Sequence, residues 1–348
     1  MEVGFSPLDE QLRLWEGRWS EGVLKEAVWL AGLVSYEDTE EILREVGQIH
    51  MSQSTIYRKV RRYGGRMRGE EEVEAARAML LPYRWEPPRR GEGERIRMGA
   101  AMDGTMVCIR EEGWKELKVG TVFEVEEREE VDERIGEEVE TGHAVANSYV
   151  AYLGGPEKFG ERMWAEAQRR GWEGAVDTEV VGDGAPWIWN VAGTHFGFSQ
   201  QVVDWYHAKE HLVSAAYLIH GEGTKAAQSW VKQWEERLYQ GQIERLVNEL
   251  EARMEEHPEV ASDLQREATY FHRNRRRMHY MEMREEGWVI GSGMVESAAK
   301  QYKARFAGPG MRWSRSGINC LLPVRTAIMS HRFDALWTKA YTPNLPPI

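Results

Sequence analysis

The chain has 348 residues, of which 42% are hydrophobic and 29% charged, and its formal net charge is −12. That length suits two or three compact units, or one domain with insertions. No apolar run reaches the roughly 18–20 residues of a membrane span, and the first residues lack a secretory signal pattern. The two cysteines, Cys108 and Cys320, are too few for a disulfide framework or a zinc cluster. We therefore expect a cytoplasmic protein without a membrane partner.

Charge is unevenly distributed along the chain. Ten acids fall between Glu124 and Glu140, which we interpret as a solvated hairpin. Residues 46–69 carry six Lys or Arg and no acid, and residues 297–333 carry seven and no acid. An acidic protein with two acid-free basic tracts is compatible with an anionic partner, because the distribution of charge matters more than its sum.

The N-terminal region, residues 1–90, is predicted to be helical from an apolar repeat that begins at Leu12, Leu14 and Trp15. Within it, a helix over residues 39–46 and a turn precede a second helix from Gln53 to Tyr63, which Gly64 and Gly65 are expected to stop. This order is typical of a helix-turn-helix, although an ordinary helical hairpin with a solvated basic face is the alternative. The residues of the second helix predicted to bind DNA are Arg58, Lys59, Arg61 and Arg62.

The central region has the order β-β-β-α-β-α-β, after a linker at residues 87–93. Residues 208–285 repeat apolar side chains every three or four positions and are interpreted as an inserted helical unit. A late helix carries Glu296, and a tail helix follows over residues 318–330. The predicted units are 1–90, 95–207, 208–286 and 287–340, in an α/β protein whose sheet is interrupted by the helical insertion.

Three acidic residues stand out: Asp103 and Asp183 at the ends of the first and fourth strands, and Glu296 at the start of the late helix. If those two strands are neighbours, the three carboxylates can converge to about 4–5 Å and would repel one another without a cation. Oxygen ligands suit Mg²⁺ or Mn²⁺, and two such ions can clamp both oxygens of a phosphodiester displacement. The alternative is that the Asp-Gly pairs at 103 and 183 are simple turns.

Other polar residues are candidates for supporting roles. Asp204 and His207 form an Asp-x-x-His pair after the fifth strand, for which a role beside the active site, a structural cap and a zinc ligand all stay open. Two interpretations stay open for the arginines at 273 and 275–277, namely contact with DNA and a solvated surface. Contact with DNA phosphates is the interpretation we favour for the basic tract that follows Glu296, namely Lys300, Lys303, Arg305, Arg312 and Arg315.

Several segments together resemble the DDE transposases of bacterial insertion sequences, in the ISKra-type branch related to the Mutator-like superfamily. The resemblance covers about residues 10–340. The segments that carry it are Met102-Asp103-Gly104-Thr105, Gly182-Asp183-Gly184-Ala185-Pro186-Trp187-Ile188-Trp189-Asn190, Val203-Asp204-Trp205-Tyr206-His207-Ala208, Ile290-Gly291-Ser292-Gly293-Met294-Val295-Glu296-Ser297 and Gly310-Met311-Arg312-Trp313-Ser314.

The resemblance implies a ribonuclease-H-like catalytic fold with a helical insertion before the last acid. It implies that Asp103, Asp183 and Glu296 bind two Mg²⁺ or Mn²⁺ ions, with Asp204 and His207 beside them. The implied activity is cleavage at transposon ends and transfer of the 3′-hydroxyl to target DNA, by a nucleoid-associated protein that acts as a homodimer or higher oligomer on terminal inverted repeats.

Two other functions are weighed against this one. A catalytically silent, domesticated transposase would act as a DNA-binding regulator, but the complete set of acids argues against decay. A carbohydrate hydrolase could use the many Trp and the spaced carboxylates, but an uncharged glycan offers no partner to the two basic tracts.

Overall fold

The computed structural model describes residues 19–80, 96–132 and 137–341. The predicted apolar repeat at Leu12, Leu14 and Trp15 and the predicted linker at residues 87–93 lie outside the described residues.

Five strands form one mixed sheet in the order β3-β2-β1-β4-β5. The first three are antiparallel neighbours, whereas β4 and β5 run parallel to β1. The predicted α/β class, the predicted order of elements and the pairing of the first and fourth strands are confirmed. The strands are β1 (Arg97–Ile109), β2 (Gly113–Asp132), β3 (Glu137–Tyr152), β4 (Asp177–Gly182) and β5 (Gln200–Val203).

Helices precede the sheet, connect its parallel strands and follow it. In the described residues they are α1 (Glu21–Leu33), α2 (Tyr36–Gly47), α3 (Gln53–Leu80), α4 (Pro156–Arg169), α5 (Pro186–His195), α6 (Trp205–His220), α7 (Lys225–Tyr239), α8 (Ile243–Glu256), α9 (Ala261–Asn274), α10 (Tyr280–Glu285), α11 (Gly293–Phe306), α12 (Arg315–Met329) and α13 (Phe333–Tyr341). None of them combines the length and the apolar character that crossing a membrane requires.

The two faces of the sheet are covered by different helices. Side chains alternate along a strand, so Met98 and Met102 of β1 pack with α4 and α5. Ala101 and Val107 point the other way, into a cluster that contains α11 and α12 and also the N-terminal helices α1–α3. The helices α6–α10 bury a cluster of their own, which agrees with the predicted helical character of residues 208–285.

The first strand is longer than the sequence predicts. Asp103 was expected to end it, but β1 continues through Asp103 to Ile109 because β2 pairs with it along its whole length. What ends near Asp103 is the pairing with β4, since the last pair is Met102 with Gly182. Asp103 is therefore an interior residue of β1 that lies at the rim of the parallel half of the sheet.

The prediction that Gly64 and Gly65 stop the second N-terminal helix is wrong, because α3 runs without a break from Gln53 to Leu80. The glycine at 64 is explained by packing. A Cβ atom there would lie 1.9 Å from the carbonyl oxygen of Cys320 on α12, whereas at Gly65 the nearest atom would be the Cys320 sulfur at 3.8 Å. Gly64 thus permits close contact between α3 and α12.

This difference predicts opposite effects for two neighbouring substitutions. Gly64→Ala should lower the free energy of unfolding by about 1–3 kcal/mol, since the methyl group overpacks the contact with α12. Gly65→Ala should raise it by about 0.5–1 kcal/mol, since alanine has the higher helix propensity. Urea unfolding of both variants tests the contact, and equal stabilisation by the two would show that α3 and α12 are farther apart.

Candidate functional site

Three aspartates lie in register across β1, β4 and β5. Met102 pairs with Gly182, and Gly182 pairs with Val203, so the residues that follow each of them are neighbours in turn. The alternation of side chains places Asp103, Asp183 and Asp204 on the same face as the neighbouring Ala101, Val181 and Val202, which contact α11 and its neighbours. The row is therefore a consequence of strand register.

The carboxylates of Asp103 and Asp183 are held by local backbone groups. The Gly104 N–H donates to Asp103 Oδ1 at 2.6 Å, and the Ala185 N–H donates to Asp183 Oδ1 at 2.8 Å. Each carboxylate keeps its second oxygen without a hydrogen bond from the described residues. Both side chains are only partly buried, so the free oxygens remain accessible to a cation or a substrate.

Glu296 is brought to this row by α11, on which it occupies the first turn. Val295, Ala298 and Tyr302 of the same helix pack on the sheet face that carries the aspartates. The carboxylate of Glu296 lies 3.3 Å from the Ser292 hydroxyl, which donates to it, and 3.5 Å from Lys300 Nζ. Glu296 is thus oriented by its own helix while remaining 31% exposed.

The electrostatics show that these acids share one neighbourhood. The pKa of Asp103 is raised to about 6, mainly by burial and in addition by the charges of Asp183 and Glu296. The hydrogen bond from Gly104 and the charge of His207 act in the opposite direction. Because charges in a partly solvated site are screened over about 10 Å, these effects show that Asp183 and Glu296 lie in the neighbourhood of Asp103.

The loop that precedes α11 is held against β4 and β5. Val289 N–H donates to the carboxyl of Glu179, a buried residue of β4, at 3.3 Å. Trp205 N–H donates to the carbonyl of Ile290 at 2.9 Å. The Ser292 N–H donates to Asp204 Oδ2. These bonds fix the start of α11, and through it Glu296, relative to the row of aspartates.

Asp204 has a different environment from the other two aspartates. It is fully buried and caps α6, with Oδ1 accepting from the His207 N–H at 2.7 Å and lying 3.1 Å from His207 Nδ1. Burial raises the pKa of Asp204, but the hydrogen bonds from His207 and Ser292 outweigh that effect and hold the pKa below its ordinary value. The hydrogen bond to Asp204 in turn raises the pKa of His207 to about 9.

Two sets of side chains near the row offer donors for a divalent cation. Among the described residues, the set of three acidic, His or Cys side chains whose ligand atoms all lie within 4.8 Å of one another is Asp204, His207 and Glu296. Both oxygens of Asp204 already accept hydrogen bonds, so we do not regard this set as the metal site. Asp103 and Asp183 each keep one carboxylate oxygen without a hydrogen bond from the described residues, and Glu296 adds a carboxylate whose contacts to Ser292 and Lys300 are long, at 3.3 and 3.5 Å. Such oxygen ligands fit Mg²⁺ or Mn²⁺.

The predicted convergence of Asp103, Asp183 and Glu296 to about 4–5 Å is not reached as a set of three, because their carboxylate oxygens do not all lie within 4.8 Å of one another. Asp204 holds Ser292 at the start of α11, so Glu296 lies in one group with Asp204 and His207 instead. The three acids are neighbours at the rim of the sheet rather than ligands of a single ion.

The predicted DNA contacts are distributed over two surfaces. On α3, Arg58, Arg61 and Arg62 are exposed and Lys59 is half-buried. Arg61 Nη1 donates to the Ser316 hydroxyl on α12 at 3.1 Å, so this basic face adjoins the start of α12.

The basic tract after Glu296 is only partly exposed to solvent. Lys300, Lys303 and Arg312 are exposed, and Arg315 forms a two-pronged ion pair with Glu112, with both N–O distances at 2.5 Å. Arg305 requires a correction. It is 3% exposed, and both Nε and Nη2 donate to the carbonyl of Ala31, so it links α11 to α1 and is not available to DNA.

Two residues near the site were not identified from the sequence. Ser292 donates through its N–H to Asp204 and through its hydroxyl to Glu296, and its position four residues before an acid at a helix start was a usable signal. Tyr270 donates its hydroxyl to the carbonyl of Asp183 at 3.0 Å. No sequence signal pointed to Tyr270, because it lies 87 residues away in the helical insertion.

Tyr270 also explains a glycine. Gly184 has φ of +100°, a region that favours glycine, and a Cβ atom there would lie 2.6 Å from the Tyr270 ring and 3.0 Å from Asn274 Nδ2. The loop after β4 and the helix α9 are therefore in close contact. His211 stacks on Tyr270 with ring centroids 3.6 Å apart, which joins α6 to the same contact.

Comparison with known proteins identified no relative. No protein-family model matches the sequence, and no curated protein is significantly similar to it. The interpretation of the site therefore rests on its own residues and geometry.

Proposed function

We propose that this protein is a DDE-type DNA transposase with a ribonuclease-H-like catalytic core, which cleaves DNA at transposon ends and transfers the freed 3′-hydroxyl to target DNA. The observation that carries the proposal is the set of acids at one rim of the sheet: Asp103 and Asp183 in register on adjacent parallel strands, with Glu296 on the helix that covers them. The strand order, with three antiparallel strands followed by two parallel ones, supports the same interpretation.

The separation of the acids favours two ions over one. Asp103 interacts with both Asp183 and Glu296, so Asp103 would contact both ions, and Asp183 and Glu296 would hold one each. When bound, two Mg²⁺ ions would stabilise charge on the attacking and leaving oxygens of the phosphodiester. This division of roles does not require all three carboxylates to meet at one point.

The other residues of the site would position the substrate and the acids. Asp204 keeps His207 cationic at neutral pH through their hydrogen bond, which provides a positive charge beside the carboxylates for a phosphate oxygen. Lys300 and Lys303, exposed one and two turns after Glu296, extend positive charge along α11. Because phosphoryl transfer depends mainly on positioning and electrostatic stabilisation, these groups are sufficient without a covalent protein–DNA intermediate.

The test is incubation of the full chain with a duplex that contains a DNA end from its own flanking repeats. One reaction contains an excess of Mg²⁺, and the other contains EDTA. We expect nicks that leave a 3′-hydroxyl at the transposon end, only when Mg²⁺ or Mn²⁺ is present, and strand-transfer products when target DNA is added. Tight binding without cleavage in either metal would instead support the silent DNA-binding regulator.

A further inference from the structure

A cluster of arginines beside the edge strand β5 has no role in the site described above. The turn that follows α9, Arg275–Arg277, is a short 3₁₀ segment that Asn274 separates from Arg273. Together with Gln200 and Gln201 of β5, these arginines line an open cleft of about 550 Å³. Its lining contains four guanidinium groups and no acid.

Two of the arginines are fixed in place by neighbouring residues. Arg277 stacks over Trp189 at 4.4 Å from the ring centroid and donates from Nε to Gln201 Oε1 at 2.7 Å. Arg275 donates to the carbonyl of His272 at 2.6 Å and lies 3.7 Å from Glu244. These contacts hold the turn against β5 and α5, so the cleft has a rigid wall.

Arg273 and Arg276 differ from these two. Both are exposed, and neither has an ion pair or a side-chain hydrogen bond with any part of the chain that the structure describes. Four arginines within five residues repel one another, and no acid lines the cleft to offset their charge. An uncompensated pair of guanidinium groups in a shaped cleft indicates an anionic partner.

The cleft continues towards the carboxylates. Arg273 also lines a second cavity of about 310 Å³, whose wall includes Gly184, Tyr270 and Asn274. Gly184 directly follows Asp183, and the Tyr270 hydroxyl donates to the Asp183 carbonyl. A single surface path therefore leads from Asp183, along α9, to the arginine turn.

A chain of regularly spaced anions fits this path better than a single anion does. The path joins a cation-lined cleft to a cavity that is bordered by an aromatic ring and by Pro186, and its far end is the acid row that we assign to phosphodiester chemistry. A DNA backbone offers successive phosphates for guanidinium groups, whose donors match phosphate geometry. An acidic peptide would satisfy the arginines but would have no reason to continue to Asp183.

We propose that Arg273 and Arg276 bind the phosphate backbone of the DNA segment that passes along α9 on the Asp183 side of the active site. The helical insertion then has a binding function of its own, in addition to supporting the loop at Gly184. This inference rests on the proposed function only in taking DNA as the substrate, and it does not depend on cleavage.

The test uses the full chain and a duplex of about 30 base pairs, with binding followed by fluorescence anisotropy over a range of salt concentrations. Losing two phosphate contacts should reduce the slope of log affinity against log salt by about 2. We therefore expect the double variant Arg273→Ala/Arg276→Ala to show that reduction, and Arg273→Lys/Arg276→Lys to restore most of the slope because it keeps the charges.

A matched control separates contact from net charge. The double variant Arg245→Ala/Arg253→Ala also removes two positive charges, but from α8. There Arg253 pairs with Glu249 and Glu256, and Arg245 donates to Gln242. The control should leave the slope within about 0.5 of the wild type. Circular dichroism of each variant verifies that the helices are intact.

Each outcome decides the question. If the wild type binds DNA and the Arg273/Arg276 double variant keeps the same slope, the inference is overturned while the proposed function stands. An unchanged slope together with lost binding to poly-glutamate would assign the cleft to an acidic protein partner instead. If the wild type binds no DNA at any salt concentration, both the inference and the proposed function fail.

Discussion

Replacing Asp183 by asparagine is expected to lower the rate of DNA-end cleavage at least about 10³-fold, and Asp103→Asn and Glu296→Gln should do the same. Each change removes a carboxylate charge with little change in volume, so the capacity to hold divalent ions is lost while the fold is kept. Affinity for DNA should stay within about threefold or rise slightly, since a negative charge near the phosphates is removed. Gel assays of nicking, with anisotropy for binding, measure the two effects separately.

The control for this series is Asp177→Asn, at the opposite end of β4. Asp177 lies 3.6 Å from Arg97 and is 47% exposed, so its loss should change cleavage less than about twofold. Cleavage at the wild-type rate by any of the three site variants would remove the metal-binding assignment, whereas equal losses in Asp177→Asn would point to a general effect on the fold.

Asp103→Asn should also stabilise the protein in metal-free buffer. The pKa of Asp103 is raised to about 6 from an ordinary value of 3.8, so the folded state binds its proton more tightly than the unfolded state does. The wild type therefore loses stability as pH rises from about 4 to about 6, by on the order of 2 kcal/mol. The asparagine variant lacks this loss, so it should unfold at higher urea concentration at pH 8 and at similar concentration at pH 4.

Asp204→Asn is expected to have the largest effect on stability, with the free energy of unfolding lowered by about 3 kcal/mol near pH 6. Asp204 is fully buried and accepts hydrogen bonds from the backbone of His207 and of Ser292. In the variant, the amide oxygen can accept from one of these two N–H groups. The amide NH₂ group cannot accept a hydrogen bond, so the other N–H group is left without an acceptor. Urea unfolding of the variant and the wild type measures the difference.

The pH dependence identifies the charge pair within that effect. The pKa of His207 is raised to about 9, so its stabilising contribution is complete below about 6.5 and is lost as pH rises through 9. The pKa of Asp204 is lowered, so its contribution is present above about 4 and is lost as pH falls through the folded value. The difference between wild type and Asp204→Asn should thus be largest between about pH 4 and 6.5 and should shrink by pH 10.

Ser292→Ala is the local control for this prediction. It keeps the backbone N–H that donates to Asp204 and removes only the hydroxyl 3.3 Å from Glu296, so we expect a loss of less than about 1 kcal/mol. A proton NMR titration gives an independent readout, since the pKa of His207 should fall towards 6.5 in Asp204→Asn. A cost for Asp204→Asn that does not vary with pH would mean that the two side chains are not an ion pair.

The positions of Asp183 and Asp204 after their strands, and the association of Asp103 with the first strand, were predictable because they depend on local patterns. Short apolar runs bounded by turn residues indicate strands, and alternation then determines which side chains share a face. The same reasoning gave the order of elements and the helical character of the region after β5. Glu296 was identified as a candidate in the same way, as an acid in the first turn of a late helix.

Local patterns misled at positions where another part of the chain makes the decisive contact. Gly64 resembles a helix stop, but its role is to admit the carbonyl of Cys320 from α12. Arg305 belongs to a basic tract, but the carbonyl of Ala31 lies within reach and the side chain is buried. Neither partner can be identified from the neighbouring sequence.

The sequence by itself determined the α/β class, the order of strands and helices, and which acids are candidates for the rim of the sheet. Each of these depends on periodicity within a few residues. Only the tertiary structure decided how closely those acids approach, that both oxygens of Asp204 accept hydrogen bonds, and that Tyr270 contacts the carbonyl of Asp183. Such contacts join segments that are far apart in the sequence, and they depend on how the helices pack on the sheet, which local patterns do not determine.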